Sequence, residues 1–305
     1  MYKPPIEIDA QVFTTIPPSL RHPVGESPWT RLARPGLKLH SFLEGPAFDR
    51  EGNLYCVDVA YGRIFRVDPA GNWSLAAQYD GNPNGLKIHK DGRIFIADAA
   101  RGIVVLDPAT GTLSSHLEGY QGLPFQACND LFFSSAGDLY FTDPGLSSLS
   151  NPVGRLFCAR VNGQLELLLD RIPYPNGLVL DETESYVHLA ITHGNCIWRV
   201  SAARGPEPRP AGLFIQLSGG LSGPDGLALD AQGNLAIAHA RHGTVWLFSK
   251  TGEPLVRIRS TAGRWTTNVA YAPDTATLFI TEAESGSILK AELEVPGSVM
   301  FAHAW

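Results

Sequence analysis

Six oxygen-bearing residues recur along the chain where they could act together: Glu44, Asn84, Asn129, Asn176, Asp225 and Asn268. The steps between them are 40, 45, 47, 49 and 43 residues. Each opens a short segment, such as Glu44-Gly45-Pro46, Asn84-Gly85-Leu86, Asn129-Asp130-Leu131 or Asp225-Gly226-Leu227. If the fold draws these positions into one ring, carboxylate and amide oxygens converge. Such a ring suits a hard divalent cation, with two carboxylates balancing its charge. Asn or Asp before Gly also serves ordinary turns. An apolar core, however, does not tolerate several unpaired acids and amides.

The elements that must position this ring can be read from a second column. Fourteen residues after the first column stand Asp58, Asp98, Asp143, Ala190, His239 and Glu282. They close apolar runs such as Leu54-Tyr55-Cys56-Val57 and Leu139-Tyr140-Phe141-Thr142. Turns precede most runs, including Glu51-Gly52-Asn53, Asp91-Gly92-Arg93 and Gln232-Gly233-Asn234. Strand, turn, strand predicts an antiparallel hairpin. A third run follows, as in Arg63-Ile64-Phe65-Arg66-Val67, and a weaker fourth is expected. Copies of that length predict an all-β fold, a six-bladed β-propeller with four-stranded antiparallel blades around a central, metal-containing channel. A pair of β-sandwiches explains the strands but not the columns.

Residues 1–305 are expected to form a single propeller domain. Gln11–Ile16 is the candidate strand for closing the ring against the last blade, which removes an exposed edge. Residues 17–40 are rich in Pro and Arg and predict an excursion over one face.

Composition narrows the function classes. There are 31 Gly and 23 Pro, and only 18% of residues are charged. That argues against a helical bundle, a coiled coil and a disordered chain. The formal net charge is −6 and no basic cluster is present, so nucleic acid is not an expected partner. No run approaches 18 apolar residues, so no membrane span is expected. The N-terminal residues do not form a signal peptide, which predicts a cytoplasmic protein. Cys56, Cys128, Cys158 and Cys196 are well separated and form no CxxC pair, so reduced thiols are expected. A protein partner is not legible.

Several segments then occur in a telling order. They are Leu43-Glu44-Gly45-Pro46, Asn82-Pro83-Asn84-Gly85-Leu86, Asn129-Asp130 with Phe141-Thr142-Asp143-Pro144, Tyr174-Pro175-Asn176-Gly177-Leu178, and Gly223-Pro224-Asp225-Gly226-Leu227. Over most of its length the chain resembles the SMP-30/gluconolactonase/LRE-like family of calcium-dependent six-bladed propellers. The resemblance implies that Glu44 is the first-blade metal carboxylate and Asn176 a metal amide. It implies that Asn129 faces the metal or the substrate, and that Asp225 is a metal carboxylate and candidate general base. Asn84 shares the ring and is assigned to substrate. The implied activity is metal-dependent hydrolysis of a lactone, or a related ester, to a hydroxy acid. Ca2+ is the expected ion, with Zn2+, Mn2+ or Fe2+ as alternatives. The metal polarises the carbonyl while Asp225 activates or orients water. The other readings are a different enzyme on this scaffold (an esterase, a phosphotriesterase or a non-hydrolytic enzyme) and a non-enzymatic binding propeller.

Further candidates surround this set. His239, in the second column, can shuttle a proton near neutral pH or merely hydrogen-bond in the channel. His193, in the loop Ile191–Asn195, is a candidate for catalysis and for the substrate wall. Asp143 reads best as a structural carboxylate satisfied by backbone donors. Cys128 lacks the partners of a catalytic triad. One departure from the family stands out. Many members place an Arg-containing segment before the Asn-Asp pair, yet residues 121–128 contain no Lys or Arg. Phe125, with Leu123 and Pro124, predicts a less polar substrate wall there, open to a lactone with apolar or aromatic parts. Trp29 and Arg31 of the excursion are further pocket candidates.

Overall fold

The computed structural model describes residues 3–203 and 210–304. Six antiparallel four-stranded arrays form the blades of a β-propeller. Blade 1 runs from its inner strand Leu43–Phe48 through Leu54–Asp58 and Arg63–Val67 to Trp73–Gln78. The other inner strands are Pro83–Ile88, Leu131–Phe133, Pro175–Leu180, Pro224–Leu229 and Thr266–Tyr271. In blade 1 the inner strand is buried at every position, whereas the outer strand is partly buried at three positions and exposed at three. The second strand, Leu54–Asp58, is likewise buried at every position, which explains why it reads as an apolar run and the outer strand as a weak signal.

Apolar clusters fill the wedges between successive blades. Phe95, Ala97 and Ile103 of blade 2, for example, meet Leu131, Phe141 and Phe157 of blade 3. Burying each such large side chain contributes roughly 1.5–3 kcal/mol.

Two N-terminal strands lock the ring. β2 (Gln11–Thr15) pairs antiparallel with Ser287–Glu292 as the outermost strand of blade 6. β1 (Ile6–Asp9) adds in parallel to Pro254–Arg259, giving blade 5 a fifth strand that the sequence did not signal. The excursion that follows holds α1 (Pro28–Ala33), whose start is a reciprocal capping box. The Ser27 Oγ accepts from the Thr30 N–H at 3.1 Å, and the Thr30 Oγ1 accepts from the Ser27 N–H at 2.8 Å. Trp29 anchors the helix against Phe42 at 4.9 Å between centroids, and Phe42 meets Trp265 at 5.0 Å. No helix among the described residues is long and apolar enough to cross a membrane.

The turns follow a shared chemistry. Asp49 accepts from the backbone N–H and the side-chain amide of Asn53, both at 2.7 Å. Asp230 does the same for Asn234 at 2.9 and 2.7 Å. In blades 1 and 5 the turn-closing backbone bonds join residues four apart, Asp49 N–H to Asn53 and Asp230 N–H to Asn234. In blades 4 and 6 they join residues five apart, Asp181 to Tyr186 and Ala272 to Thr277.

That extra residue corrects both columns. The residue opposite Pro175 is Ile191 rather than Ala190. In blade 6, Thr266 stands opposite Glu282, so Thr267, not Asn268, is the equivalent of Glu44 and Asp225. Asn268 instead shares the next layer with Gly45, Gly85, Asp130, Gly177 and Gly226.

The inner strands of blades 1, 2, 4, 5 and 6 each carry a one-residue bulge at this point. A bulge breaks strict alternation and re-aims side chains. Here it sets two successive layers of polar groups against the channel.

Candidate functional site

The channel begins with the backbones that hold it. The Thr142 Oγ1 donates to the carbonyl of Asn176 at 2.9 Å, tying blade 3 to blade 4. The Thr192 Oγ1 donates to Pro224 O at 2.8 Å, and the Thr267 Oγ1 to Leu43 O at 2.8 Å. These hydroxyls lock the strand ends that carry Asn176, Asp225 and Glu44. Thr192 also accepts from Asn176 Nδ2 at 3.1 Å, which fixes the orientation of that amide.

Glu44, Asn129 and Asn176 are buried, and Asp225 and Asn84 are partly exposed. The Glu44 carboxyl is held well above its ordinary range by burial, then by the charges of Asp225 and Asp130. Asp225 is pushed up to about 8 by burial and by Asp130, against the Arg34 guanidinium and a hydrogen bond from Asn176. Asp130 is itself raised by burial, against Lys87 and its hydrogen bonds to Leu131 and Asn268. Three acids that repel one another in a low-dielectric channel leave a charge that a bound cation would relieve.

The donor chemistry fits that reading. The Asn129 Oδ1 is buried and has no hydrogen-bond partner. Among the described residues, no three His, Cys, Asp or Glu side chains assemble in metal-holding geometry. A cation at this place would therefore draw on amide oxygens as well as Glu44 and Asp225, a hard-oxygen set.

Other expected residues fall elsewhere. Phe125 does not join an open substrate wall. Its ring packs edge-on against Phe141 at 5.2 Å and Phe157 at 5.4 Å, inside the cluster between blades 2 and 3. The cause is Asp143, whose Oδ1 accepts from the N–H groups of Gln126 and Ala127 at 2.9 and 2.8 Å and so pins the segment. Asp58 plays the same part for Phe42, accepting its N–H at 2.7 Å. The second column is thus a set of loop clamps.

His239 occupies a clamp position without a carboxylate. It is fully buried, its Nδ1 accepts from Trp246 Nε1 at 3.2 Å, and its ring presses against Gly220. Burial lowers its pKa to about 4, so it is neutral near pH 7 and walled off from solvent. His193 is exposed on the rim, and its ring lies 4.6 Å from that of Tyr174. Tyr174 adopts a left-handed φ of 61°, a costly conformation for an aromatic residue, directly before Pro175-Asn176. Trp29 is half-buried and serves mainly to anchor α1. Cys128 is buried and its thiol is pushed well up by burial, so it is not a ready thiolate.

Three residues escaped sequence reasoning. Arg34, just after α1, acts on both Asp225 and His193, whereas Arg31 was the basic residue singled out. Nothing in the local sequence distinguishes the two. Asp130 was hidden beside Asn129 because strand alternation predicts that neighbours diverge. Lys87 had a usable signal. It is the charged residue in the inner strand Pro83–Ile88, and its channel layer is otherwise Ala47, Phe132, Val179, Ala228 and Ala270.

Comparison with known proteins follows the same lines. A family model described as the SMP-30/gluconolactonase/LRE-like region matches residues 42–284. A gluconolactonase from Zymomonas mobilis is 31% identical over 273 residues, covering 79% of this chain and 76% of the relative. Lactonase drp35 from Staphylococcus aureus (strain MRSA252) is 31% identical over 243 residues, covering 76% and 72%. Among solved structures, the calcium-binding protein regucalcin from Agrobacterium tumefaciens superposes with a TM-score of 0.77 at 22% identity, covering 98% of both chains. A gluconolactonase from Xanthomonas campestris gives 0.73 at 21% identity, covering 98% of this chain and 99% of the other. At those identities the two structures speak for the fold alone.

Proposed function

Because the chain belongs to the SMP-30/gluconolactonase/LRE-like family, we propose that it hydrolyses a lactone to a hydroxy acid with the help of a divalent cation. The observation that carries the reading is the Asn129 Oδ1, a buried carbonyl oxygen without a donor. Leaving such an atom unsatisfied costs about 1–3 kcal/mol, and a bound cation removes that cost. Glu44, Asn129, Asn176 and Asp225 would hold the ion. Their hard oxygens favour Ca2+, with Mn2+, Zn2+ and Fe2+ as the other ions to test. Bound there, the cation supplies Lewis-acid polarisation of the ring carbonyl.

The chain's own groups do the rest. Asp225, partly exposed, takes a proton from water as the water oxygen bonds to the carbonyl carbon. The ring C–O bond then breaks, and the proton passes to the departing ring oxygen. Ring opening leaves a carboxylic acid that releases its remaining proton to solvent, so a neutral ester becomes a carboxylate. Arg34, whose charge acts on Asp225, offers that new carboxylate a guanidinium. His193 and Tyr174 form an aromatic wall at the mouth. His239 is assigned no proton transfer, since it is sealed from solvent. Exposed Leu146, Leu149 and Leu221, in the segments that follow Asp143 and precede Pro224, favour a lactone bearing an apolar substituent.

The test is a pH-stat screen of alkyl-substituted and sugar lactones, with Ca2+, Mn2+, Zn2+ and Fe2+ added separately to chelator-treated protein. Turnover should need an added ion and fall at least 100-fold in Asp225→Asn. Metal-independent turnover, or wild-type rates in both Glu44→Gln and Asp225→Asn, would sink the mechanism.

A further inference from the structure

Beneath the four proposed ligands runs a second polar layer. Four of its six positions are glycines, and the space they leave is filled by Asp130 and Asn268. A Cβ on Gly85 would overlap the Asp130 carboxylate, and one on Gly226 would overlap the Asn268 amide. Both side chains are almost wholly buried, at 3% and 2% exposure.

Their hydrogen bonds form a directed chain. The Asn268 Oδ1 accepts from the Val269 N–H at 2.8 Å, so its amide cannot flip without losing that bond. Asn268 Nδ2 must then face the acids. It donates to Glu44 Oε2 at 2.9 Å and to Asp130 Oδ2 at 3.3 Å. Glu44 Oε2 also accepts from the Gly45 N–H at 2.7 Å. Both bonds fall on Oε2, which leaves Oε1 for a cation.

Below Asp130 lies Lys87. Its ammonium donates to Leu86 O at 3.2 Å and stands 4.0 Å from Asp130 Oδ1. Lys87 is itself 6% exposed, in a layer whose other members are apolar. A lysine is desolvated this far only where a fixed negative charge compensates it. Glu44, Asp225 and Asp130 together carry three negative charges when ionised. Lys87 offsets one, and a divalent ion offsets the other two.

We infer that Lys87 is a built-in counter-ion and a positioning residue, which neutralises Asp130 so that Asp130 and Asn268 orient Glu44 rather than compete for the metal. The channel's charge demand is thereby set at one divalent ion. The metal half of this inference rests on the proposed function, while the counter-ion half does not.

The experiment uses the full chain, freed of metal, in five forms: wild type, Lys87→Met, Asp130→Asn, the Lys87→Met/Asp130→Asn double variant and Asn268→Ala. Thermal melting in chelator and calorimetric titration with calcium chloride are the readouts. Lys87→Met should melt lower without metal, because Asp130 is left buried and unpaired. It should also bind calcium ~10-fold more tightly, because a nearby positive charge is gone. The double variant should recover the melting temperature and approach the wild-type affinity. Asn268→Ala should weaken calcium binding ~10-fold at unchanged stoichiometry, through the freed Glu44 carboxylate. If the double variant melts no higher than Lys87→Met, the counter-ion role is overturned. If Lys87→Met binds calcium with wild-type affinity, the charge balance is overturned. A wild type that binds no divalent ion would count against the proposed metal site, while the chelator melting series still decides the role of Lys87.

Discussion

Glu44→Gln should stabilise the metal-free protein and destabilise the metal-loaded one relative to wild type. Glu44 Oε2 and Asp130 Oδ2 accept from one nitrogen, at 2.9 and 3.3 Å, so the two carboxylates lie within about 6 Å of each other. At that separation two full charges repel by about 3 kcal/mol at an effective dielectric of 20. Asp225 adds to the repulsion. Glutamine keeps the acceptor that Gly45 and Asn268 use, and its new N–H groups face acids rather than apolar surface. The gain in chelator therefore approaches ~3 kcal/mol where Glu44 is ionised, roughly 5 °C in melting temperature for a chain of this size. Calcium at a thousandfold excess over its dissociation constant adds about 4.1 kcal/mol to wild type by mass action, more than the variant's lead in chelator. The variant, lacking one of two ligand carboxylates, should gain little. Scanning fluorimetry in EDTA and in calcium should thus rank the two proteins in opposite orders. The reasoning fails if Glu44→Gln melts below wild type in EDTA, or if calcium stabilises both proteins equally.

Two further outcomes follow from groups around this site and far from it. Thr192→Val removes the acceptor for Asn176 Nδ2 and the donor to Pro224 O; urea unfolding should show a loss of about 1–3 kcal/mol, and calorimetry a several-fold weaker calcium affinity. His188, stacked on Phe214 at 4.9 Å, is held neutral down to about pH 4, mainly by burial. The unfolded chain takes up this proton first, so stability is full above pH 6.5 and falls as pH drops toward 4, by up to about 3 kcal/mol. His188→Gln should flatten that slope in urea unfolding measured across pH, and an unchanged slope would refute the assignment.

The blades were legible because their signals are local. A turn such as Asp49–Asn53 closes through its own side chains, so its residues announce it. The second strands, such as Leu54–Asp58 and Leu139–Asp143, are apolar runs because both their faces are buried. The strand β1 was silent for the opposite reason. It pairs with Arg257 and Arg259 more than 240 residues away, and its own burial is slight. The register of blade 6 was misread by one residue because spacing cannot tell a longer turn from a shifted strand. The closing bond from Ala272 to Thr277 and the pairing of Thr266 with Glu282 separate the two cases. The ring residues Glu44, Asn129, Asn176 and Asp225 were visible as a repeat, whereas Arg34 and Lys87 reach the site from single, unrepeated positions.

The glycines of the Pro-Asn-Gly and Pro-Asp-Gly segments show how a correct column can carry an incomplete cause. In sequence they are turn formers, and a turn needs glycine for its backbone angle. Gly85, Gly177 and Gly226 instead sit in strands, at angles open to any residue, for none of them has a positive φ. What they share is proximity. A side chain on Gly177 would run into the backbone of Asp225 and Gly226, as one on Gly226 would into Asn268. The inner strands therefore converge to backbone contact in this layer, and room remains for two side chains among six positions. That room is taken by a carboxylate and an amide. The layer thus concentrates negative charge under Glu44, and the nearest available offset is the lysine one layer down. On this argument Gly226→Ala should disturb Glu44 without touching any proposed ligand's own side chain, by displacing the amide that holds it.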